Sequence, residues 1–538
     1  MKSLPHHIPT SGLDDKPGEE CGIVAIYDLN EKPSSVTRLI PPALLDLQHR
    51  GQLAAGVTAF NPENPHRLKT HKDVGVVYEA FRLGHAQKAM AITRNYAGVA
   101  AIGHVRYATS GRDQAEYAQP FERVHSRAWK WFSLGFNGNL ANYAELRDHL
   151  TNNRGYHMVY NVDTEILLHH TAYALRGEVK PNMVDVFREI SHELDGAYNI
   201  VFLNAAGDLV ASRSPVGIRP LCYGIKDGIL VIASESVVLQ NMGYTDVHNV
   251  DPGQMVWVDA ETRKMHVDYY TDERAHHHCF FEWVYFAHVT SVMEGRAVYD
   301  VRWNLGKELA EREPIVVNAE DCVVVPVPDT AKPIGDAFAF ALGLPSLEGI
   351  VRNRYVGRTF IEGSDRTDKV KRKYTLVRSV LEGKRVFLVE DSLVRSTTLR
   401  GLIQRTREQG AKEVHIRIGS PPVIAPCYYG IDMSTLAELF APKFLTANCE
   451  ADELDRRCEA IAEQLGADSV RYLPVAKLAD CVGLPHDHLC TACVSTNYPT
   501  KGGQQLFEQG DAPPGCDGEY HRAYDSSEDE SEDEPENE

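Results

Sequence analysis

Carboxylates and hydroxyls crowd the stretch Glu390-Asp391-Ser392-Leu393-Val394-Arg395-Ser396-Thr397-Thr398, directly after the apolar run Val386-Phe387-Leu388-Val389. Adjacent carboxylates can hold ribose hydroxyls or a magnesium ion. Hydroxyls at the start of a helix, with its free N–H groups and positive end, cradle a phosphate. A second acid–hydroxyl pair, Asp329-Thr330, follows the apolar run at 322–327. Between the two pairs the chain turns basic, from Arg352, Arg354 and Arg358 through Lys369, Lys371 and Arg372 to Lys373. Two cysteine settings also stand out: Cys21 ahead of Gly22-Ile23, and Cys490-Thr491-Ala492-Cys493. A C-x-x-C spacing by itself suits zinc, a redox pair or neither.

These residues need elements to position them. Residues 386–389 read as a buried strand, and 399–409 as an amphipathic helix stopped by Gly410. Residues 322–327 and 413–418 read as further strands, 335–341 as a helix, and the region before 384 as hairpin-like. This alternation predicts an α/β unit with a parallel sheet covered by helices, in which ligands sit at the carboxyl ends of the strands. Asp329-Thr330 and Glu390-Asp391 both lie at such ends, so they can converge on one ligand. The N-terminal half differs. Short strands at 98–105, 131–137, 198–203, 230–233 and 254–258 alternate with helices at 40–47, 144–150, 164–174 and 183–194. That pattern predicts a layered α+β domain of about 250 residues.

A chain of 538 residues is long enough for about two or three domains. No apolar run is long enough to span a bilayer, and residues 1–20 lack the apolar core of a secretory signal, so a cytoplasmic protein is expected. The net charge is −19, but nine carboxylates fall within 525–538, which accounts for about half of it. That tail has nothing to bury and is expected to be disordered, serving solubility or docking a basic partner. The remaining body is only mildly acidic, which argues against nucleic acid as a partner. Eleven cysteines in such a chain do not read as a disulfide framework. Cys322, Cys449, Cys458 and Cys481 read as core thiols.

The stretch 386–398 resembles the phosphoribosyltransferase motif that grips 5-phosphoribosyl 1-pyrophosphate. Upstream, six motifs occur in order: Cys21-Gly22-Ile23, Leu47-Gln48-His49-Arg50-Gly51-Gln52, Gly103-His104-Val105-Arg106-Tyr107, Phe136-Asn137-Gly138-Asn139-Leu140, Asp163-Thr164-Glu165 and Gly217-Ile218-Arg219-Pro220-Leu221. Together they resemble the class II glutamine amidotransferases, whose αββα domain has the N-terminal nucleophile fold. From Cys21 to about Thr500 the chain resembles the amidophosphoribosyltransferase family. No Ser-Gly-Gly-x-Asp-Ser pyrophosphatase loop, as in asparagine synthetases, is present.

The resemblance implies a function: glutamine-dependent transfer of ammonia to 5-phosphoribosyl 1-pyrophosphate, giving 5-phosphoribosylamine, pyrophosphate and glutamate. It implies residues 1–20 as a propeptide, 21–275 as the amidotransferase domain, 276–500 as the phosphoribosyltransferase domain and 501–538 as the acidic tail. Removal of the propeptide would free the α-amino group of Cys21. Such a group titrates near 7.7–8.0, suited to a general base beside the thiol nucleophile. By position, Arg106 pairs with the glutamine α-carboxylate and Asp163 with its α-ammonium. Asn137 and Gly138 form the oxyanion hole. Asp329, Thr330, Glu390, Asp391, Ser392, Arg395, Ser396, Thr397, Thr398, Arg358 and Lys373 bind the phosphoribosyl substrate. Magnesium falls to Thr330, Glu390 and Asp391. The basic stretch reads as a lid closing over pyrophosphate. Purine nucleotides as feedback inhibitors, a homotetramer and no membrane or nucleic-acid partner follow.

Members with an iron–sulfur centre carry cysteine in the contexts of Cys279, Cys427, Cys490 and Cys493, which implies a structural [4Fe–4S] cluster. Tetrahedral zinc remains open on ligand chemistry alone. His276, His277 and His278 read as a polar linker turn. The chain departs from the family at Leu53 (usually Glu), Ser214 (usually Asp), Glu390 (usually Asp) and Ser396 (usually Gly). Ser396 is compatible only with a negative φ.

Overall fold

The structure, a computed structural model, describes residues 21–107, 114–160, 162–353, 373–431, 433, 435–446 and 451–510. The expected propeptide, Arg358, most of the basic stretch, Cys449 and residues 511–538 lie outside the described residues. The expected disordered tail begins too early at 501: residues Lys501–Gly510 form a helix, in which Gly503 is buried and the Gly502 N–H donates to Asp195 Oδ2 at 2.8 Å.

The first half is built on two antiparallel sheets. Seven strands run in the order His248–Asn249, Cys222–Lys226, Ile229–Ala233, Gly22–Asp28, Ala100–Arg106, Ala54–Phe60, Leu68–Val74. Six run in the order Met265–Tyr269, Gln254–Val258, Leu209–Arg213, Gly196–Asn204, Phe132–Leu140, Phe121–Arg123. Alternate residues of each strand point to opposite faces. Ile23, Ala25, Ile102 and Ile232 therefore meet Val201, Leu203, Ala211 and Val256 between the sheets. On the far side of the first sheet, Val24 and Ile26 pack with Leu44 and Val238 from the helices Ile40–Asp46 and Ser236–Asn241. The second sheet carries Tyr143–Asp148, Asp163–Ala174 and Met183–Ser191 through Leu146, Ile166, Leu167 and Phe187. The result is the expected αββα stack. Because both faces of each sheet are covered, the central strands read as unbroken apolar runs rather than as alternating ones.

The second half is a four-stranded parallel sheet, Cys322–Pro326, Arg385–Glu390, Glu413–Ile418, Ser469–Tyr472. Phe387 and Val389 face Phe338 and Leu305 on one side. Val386 and Leu388 face Leu402, Ile403 and Ile461 on the other. The hairpin-like region is a short antiparallel pair, Ile350–Arg352 with Tyr374–Leu376. The two halves share one apolar core, in which Ala141, Ala197 and Ile218 of the first join Phe280, Val423, Tyr429 and Tyr498 of the second. No helix among the described residues is long and apolar enough to cross a membrane.

A second expectation is corrected. His276 is exposed and His277 half-buried outside any strand, but His278 is no part of a polar linker turn: it is buried in the strand His278–Cys279, with its Nδ1 3.0 Å from the Gly217 carbonyl. Its pairing with Leu489 claims this one residue of the triplet.

Candidate active site

Cys21 stands at the head of the central strand Gly22–Asp28. The antiparallel register sets Gly22 against Val105, which brings Arg106 alongside Cys21. A Cβ on Gly22 would lie 3.0 Å from Val105 and 3.2 Å from Leu47, so the glycine lets the strand fit closely beside Cys21. The Cys21 Sγ lies 4.0 Å from the Tyr107 carbonyl. Burial pushes the thiol pKa up, Arg106 draws it down and Asp163 draws it up again, leaving it above its ordinary value. A thiol in this state is protonated at neutral pH, and only its thiolate form is a nucleophile. Arg106 is buried, with its guanidinium 5.7 Å from the centroid of the Tyr117 ring. Asp163 opens the helix Asp163–Ala174, and its Oδ2 accepts from the Leu140 N–H at 2.9 Å.

Asn137 and Gly138 lie on the strand Phe132–Leu140. Asn137 is buried, and its Nδ2 donates to Ser234 Oγ at 3.4 Å. The same hydroxyl accepts from the Ile23 N–H at 3.0 Å, so it ties Asn137 to the strand that follows Cys21. Gly138 has φ +147°, and a Cβ there would fall 1.9 Å from the Ala197 carbonyl oxygen. Only glycine can occupy this position of the strand. The structure therefore brings Cys21, Arg106, Asn137, Gly138 and Asp163 to one end of the sandwich.

The second candidate site lies at the carboxyl ends of two adjacent parallel strands, where Pro326 is in register with Val389. Thr330 Oγ1 donates to Asp391 Oδ2, and Ser392 Oγ donates to Asp391 Oδ1 at 2.6 Å. The Asp391 N–H donates to Glu390 Oε1 at 3.1 Å. Glu390, Asp391 and Ser392 are all buried. Asp329 is paired with Arg352 at 3.2 Å. Ser396 has φ −96°, so the substitution for glycine is accommodated without strain, and the helix Thr397–Glu408 starts directly after it. Arg395 is turned to Glu438, Nε to Oε2 at 2.9 Å. Lys373 lies at the base of the hairpin, its Nζ 5.7 Å from the Tyr374 ring centroid. An all-oxygen set of two carboxylates and hydroxyls suits magnesium, which takes one or two carboxylates and completes its shell with water and substrate phosphate.

Cys279, Cys427, Cys490 and Cys493 line one cavity with Ile218, Arg219, Tyr429, Ile431 and Ala492. Parallel pairing sets Cys279 opposite Cys490. All four are free thiols. Burial pushes Cys490 up to about 12, and Cys279 and Cys493 well above their ordinary value. Among the described residues no three His, Cys, Asp or Glu side chains stand at metal-holding spacing. The four thiols fit a cluster by donor chemistry and shared cavity rather than by a closed ligand geometry.

The motifs quoted from the sequence hid a further role. Arg50 bonds to both Glu235 and Glu282, and Arg219 bonds to Glu282 and to the Tyr429 carbonyl. All four charged side chains are about 1% exposed, so this network crosses the junction of the halves out of water. Beside it, Asn139 Nδ2 donates to the Tyr428 carbonyl at 2.9 Å, and a Cβ on Gly430 would lie 3.2 Å from the Gly138 carbonyl. The strand segment carrying Gly138 is thus packed against the loop carrying Cys427.

Residues 104–241 match a family model described as a glutamine amidotransferase domain. The chain is 39% identical over 489 residues to an amidophosphoribosyltransferase of Methanothermobacter thermautotrophicus, covering 90% of this chain and 95% of that one. It is 35% identical over 493 residues to the Bacillus subtilis amidophosphoribosyltransferase, covering 90% and 94%. The solved glutamine phosphoribosylpyrophosphate amidotransferase of B. subtilis, complexed with ADP and GMP, superposes with a TM-score of 0.76 at 34% identity, over 89% of this chain and 98% of that one. A structure described as the allosteric regulatory enzyme of purine biosynthesis superposes with a TM-score of 0.78 at 33% identity, over 92% and 100%.

Proposed function

The chain belongs to the amidophosphoribosyltransferase family, and on that premise we propose that Cys21 and its neighbours release ammonia from glutamine for use at the Asp391 site. As a member, the chain is a pentosyltransferase of the first step of purine biosynthesis, with a glutamine amidotransferase domain.

With residues 1–20 removed, the α-amino group of Cys21 takes the thiol proton. The thiolate attacks the carboxamide carbon, and the oxyanion that forms is met by Asn137 Nδ2 and the Gly138 N–H. Collapse breaks the C–N bond, and the stored proton leaves with ammonia. Water then cleaves the thioester to glutamate. Arg106 and Asp163 hold the α-carboxylate and α-ammonium. At the second site ammonia attacks C1 of 5-phosphoribosyl 1-pyrophosphate as the C1–O bond breaks, giving 5-phosphoribosylamine, pyrophosphate and a proton. Glu390 and Asp391 hold the ribose hydroxyls, and Ser396, Thr397 and Thr398 meet the 5′-phosphate at the helix start. Magnesium held by Thr330, Glu390 and Asp391 would neutralise the departing pyrophosphate.

The observation that carries this reading is the convergence of Cys21, Arg106, Asp163 and Gly138 at one end of the sandwich, on the side where the second half packs. Pyrophosphate release from 5-phosphoribosyl 1-pyrophosphate with glutamine as nitrogen donor tests it. Release is expected, and its absence in folded, processed protein would contradict the reading.

The four thiols around one cavity support a cluster site. A bound [4Fe–4S] cluster would tie the paired strands of Cys279 and Cys490 to the Cys427 loop, a structural role. Iron analysis and visible absorption on anaerobically purified protein check this, and a colourless, zinc-loaded sample would contradict it. The pairing of His278–Cys279 with Leu489–Cys490 supports assigning 276–500 to the phosphoribosyltransferase domain and 21–275 to the amidotransferase domain. Purine nucleotides acting as inhibitors are supported by the ADP and GMP of the B. subtilis structure. Under the same reading the enzyme is a cytoplasmic homotetramer.

A further inference from the structure

The proposed oxyanion pair, Asn137 and Gly138, lies on a strand that loses its neighbour on one edge just before the pair is reached. Phe121–Arg123 pairs with Phe132–Leu140 only as far as Phe121 opposite Leu134. The next residue of the short strand is Pro120, which has no N–H to continue the ladder. From Phe136 onward, one edge of the longer strand therefore needs other partners for its backbone. Residues two apart present their N–H and C=O groups to the same edge. Phe136, Gly138 and Leu140 form such a series.

Side chains supply the missing partners. The Phe136 N–H donates to Gln119 Oε1 at 2.7 Å. The Phe136 carbonyl lies 3.0 Å from His104 Nε2. A carbonyl can only accept, so the imidazole carries its proton on Nε2. The Leu140 N–H goes to Asp163. Gly138 stands between these two anchored residues. His104 and Gln119 are buried, at 0% and 6% exposure. His104 and Arg106 lie two apart on one strand, so both face the second sheet.

We infer that His104 and Gln119 are positioning residues for amide hydrolysis: by clamping both backbone groups of Phe136 they fix the peptide leading into Asn137 and so aim the Asn137–Gly138 donors at the oxyanion. The inference rests on the oxyanion assignment made above. Neither side chain touches substrate. His104 holds one tautomer because burial lowers its pKa to about 3, against the pull of the Phe136 carbonyl, and Arg106 adds to the lowering. Protonation would also put a second N–H on Nδ1, which has no hydrogen-bond partner in its buried position.

The test compares glutamine-dependent with ammonia-dependent pyrophosphate release in four variants of the full chain. His104→Leu and Gln119→Leu are each expected to lower the glutamine-dependent kcat on the order of ten- to a hundredfold, with KM for glutamine little changed and the ammonia-dependent rate kept. His104→Gln, whose amide nitrogen reaches the position of Nε2, is expected to recover most of the loss. Wild-type glutamine kcat in His104→Leu and Gln119→Leu would overturn the inference, as would a His104→Gln variant as slow as His104→Leu. If His104→Leu does not fold, Gln119→Leu and His104→Gln decide: a slow Gln119→Leu beside a near-normal His104→Gln supports it, and any other pattern overturns it. Asn137→Ala separates the two levels. If Asn137→Ala is slow while both leucine variants are fast, only the positioning role fails. If Asn137→Ala keeps its glutamine kcat, the oxyanion assignment fails and takes the inference with it.

Discussion

The two candidate sites are held in different ways. At the glutamine end, groups far apart in sequence meet because two sheets and a helix start converge: Cys21, Arg106, Asn137, Gly138 and Asp163 belong to four elements, and Asp163 reaches across to the Leu140 backbone. At the phosphoribosyl end, the polar groups come from two strand ends and bond mainly to one another, with Asp391 taking hydroxyls from Ser392 and Thr330. A site held by the whole sandwich is sensitive to backbone shape. A site made of neighbouring side chains is sensitive to their charge. The buried Arg50, Glu235, Glu282 and Arg219 network joins the halves without using a residue assigned to either site.

The contrast can be broken by backbone substitution at one end and charge removal at the other. Gly138→Ala forces a Cβ to within 1.9 Å of the Ala197 carbonyl oxygen, so the strand backbone there must shift. Glutamine-dependent kcat is expected to fall about 10²–10³-fold, the usual effect of losing one oxyanion donor, while ammonia-dependent release is kept. Equal loss of both rates in folded protein would show that the two ends are not separable in this way. Asp391→Asn keeps shape but removes charge. Here pyrophosphate release is expected to drop on the order of a hundredfold with either nitrogen donor. A variant slow with glutamine alone would place Asp391 on the wrong side of the comparison.

The junction gives a stability effect rather than a kinetic one. Arg219→Met leaves Glu282 buried with one of its two cations gone. Arg50 still neutralises Glu282, so the loss is that of a buried charged hydrogen bond, about 1–3 kcal/mol in denaturant unfolding. A change within about 0.5 kcal/mol, the range of ordinary surface substitutions, would mean that the network is not energetically coupled across the halves. The smallest effect concerns pH. Burial pushes the Glu235 carboxyl up, but Arg50 and His49 outweigh it and hold the group well below its ordinary range. Unfolded, it titrates near 4.3. The stability it contributes is therefore complete above about pH 4.3 and lost as pH falls from there toward the folded value. Between these limits wild-type stability is expected to fall about 1.4 kcal/mol per pH unit more steeply than that of Glu235→Gln. Parallel slopes would contradict the pairing.

What was legible in the sequence follows the same division. The Asp329-Thr330 and Glu390-Asp391 pairs could be placed at strand ends because each sits directly after an apolar run, and the strand Glu413–Ile418 matches its expected bounds. The glutamine end was legible as an ordered set of motifs, and the register supplies the geometry they lacked. Other elements carry weak signals. Leu68–Val74 is an edge strand with Lys69, Lys72 and Asp73, so little of it is buried and no apolar pattern marks it. Ser469–Tyr472 spans only four residues. The Glu438 partner of Arg395 and the Glu282 partner of Arg50 lie too far along the chain for spacing to suggest them. His278 looked like part of a polar triplet because its burial depends on the pairing with Leu489–Cys490.

The most direct test of two coupled sites on one chain is Cys21→Ala, assayed for pyrophosphate release with glutamine and, separately, with ammonium. The expected result is complete loss of the glutamine-dependent reaction with the ammonium-dependent reaction preserved, since alanine removes the nucleophile and leaves the strand ends at Asp391 and Thr330 in place. Loss of both activities in a folded variant, or retention of glutamine use, would contradict the assignment.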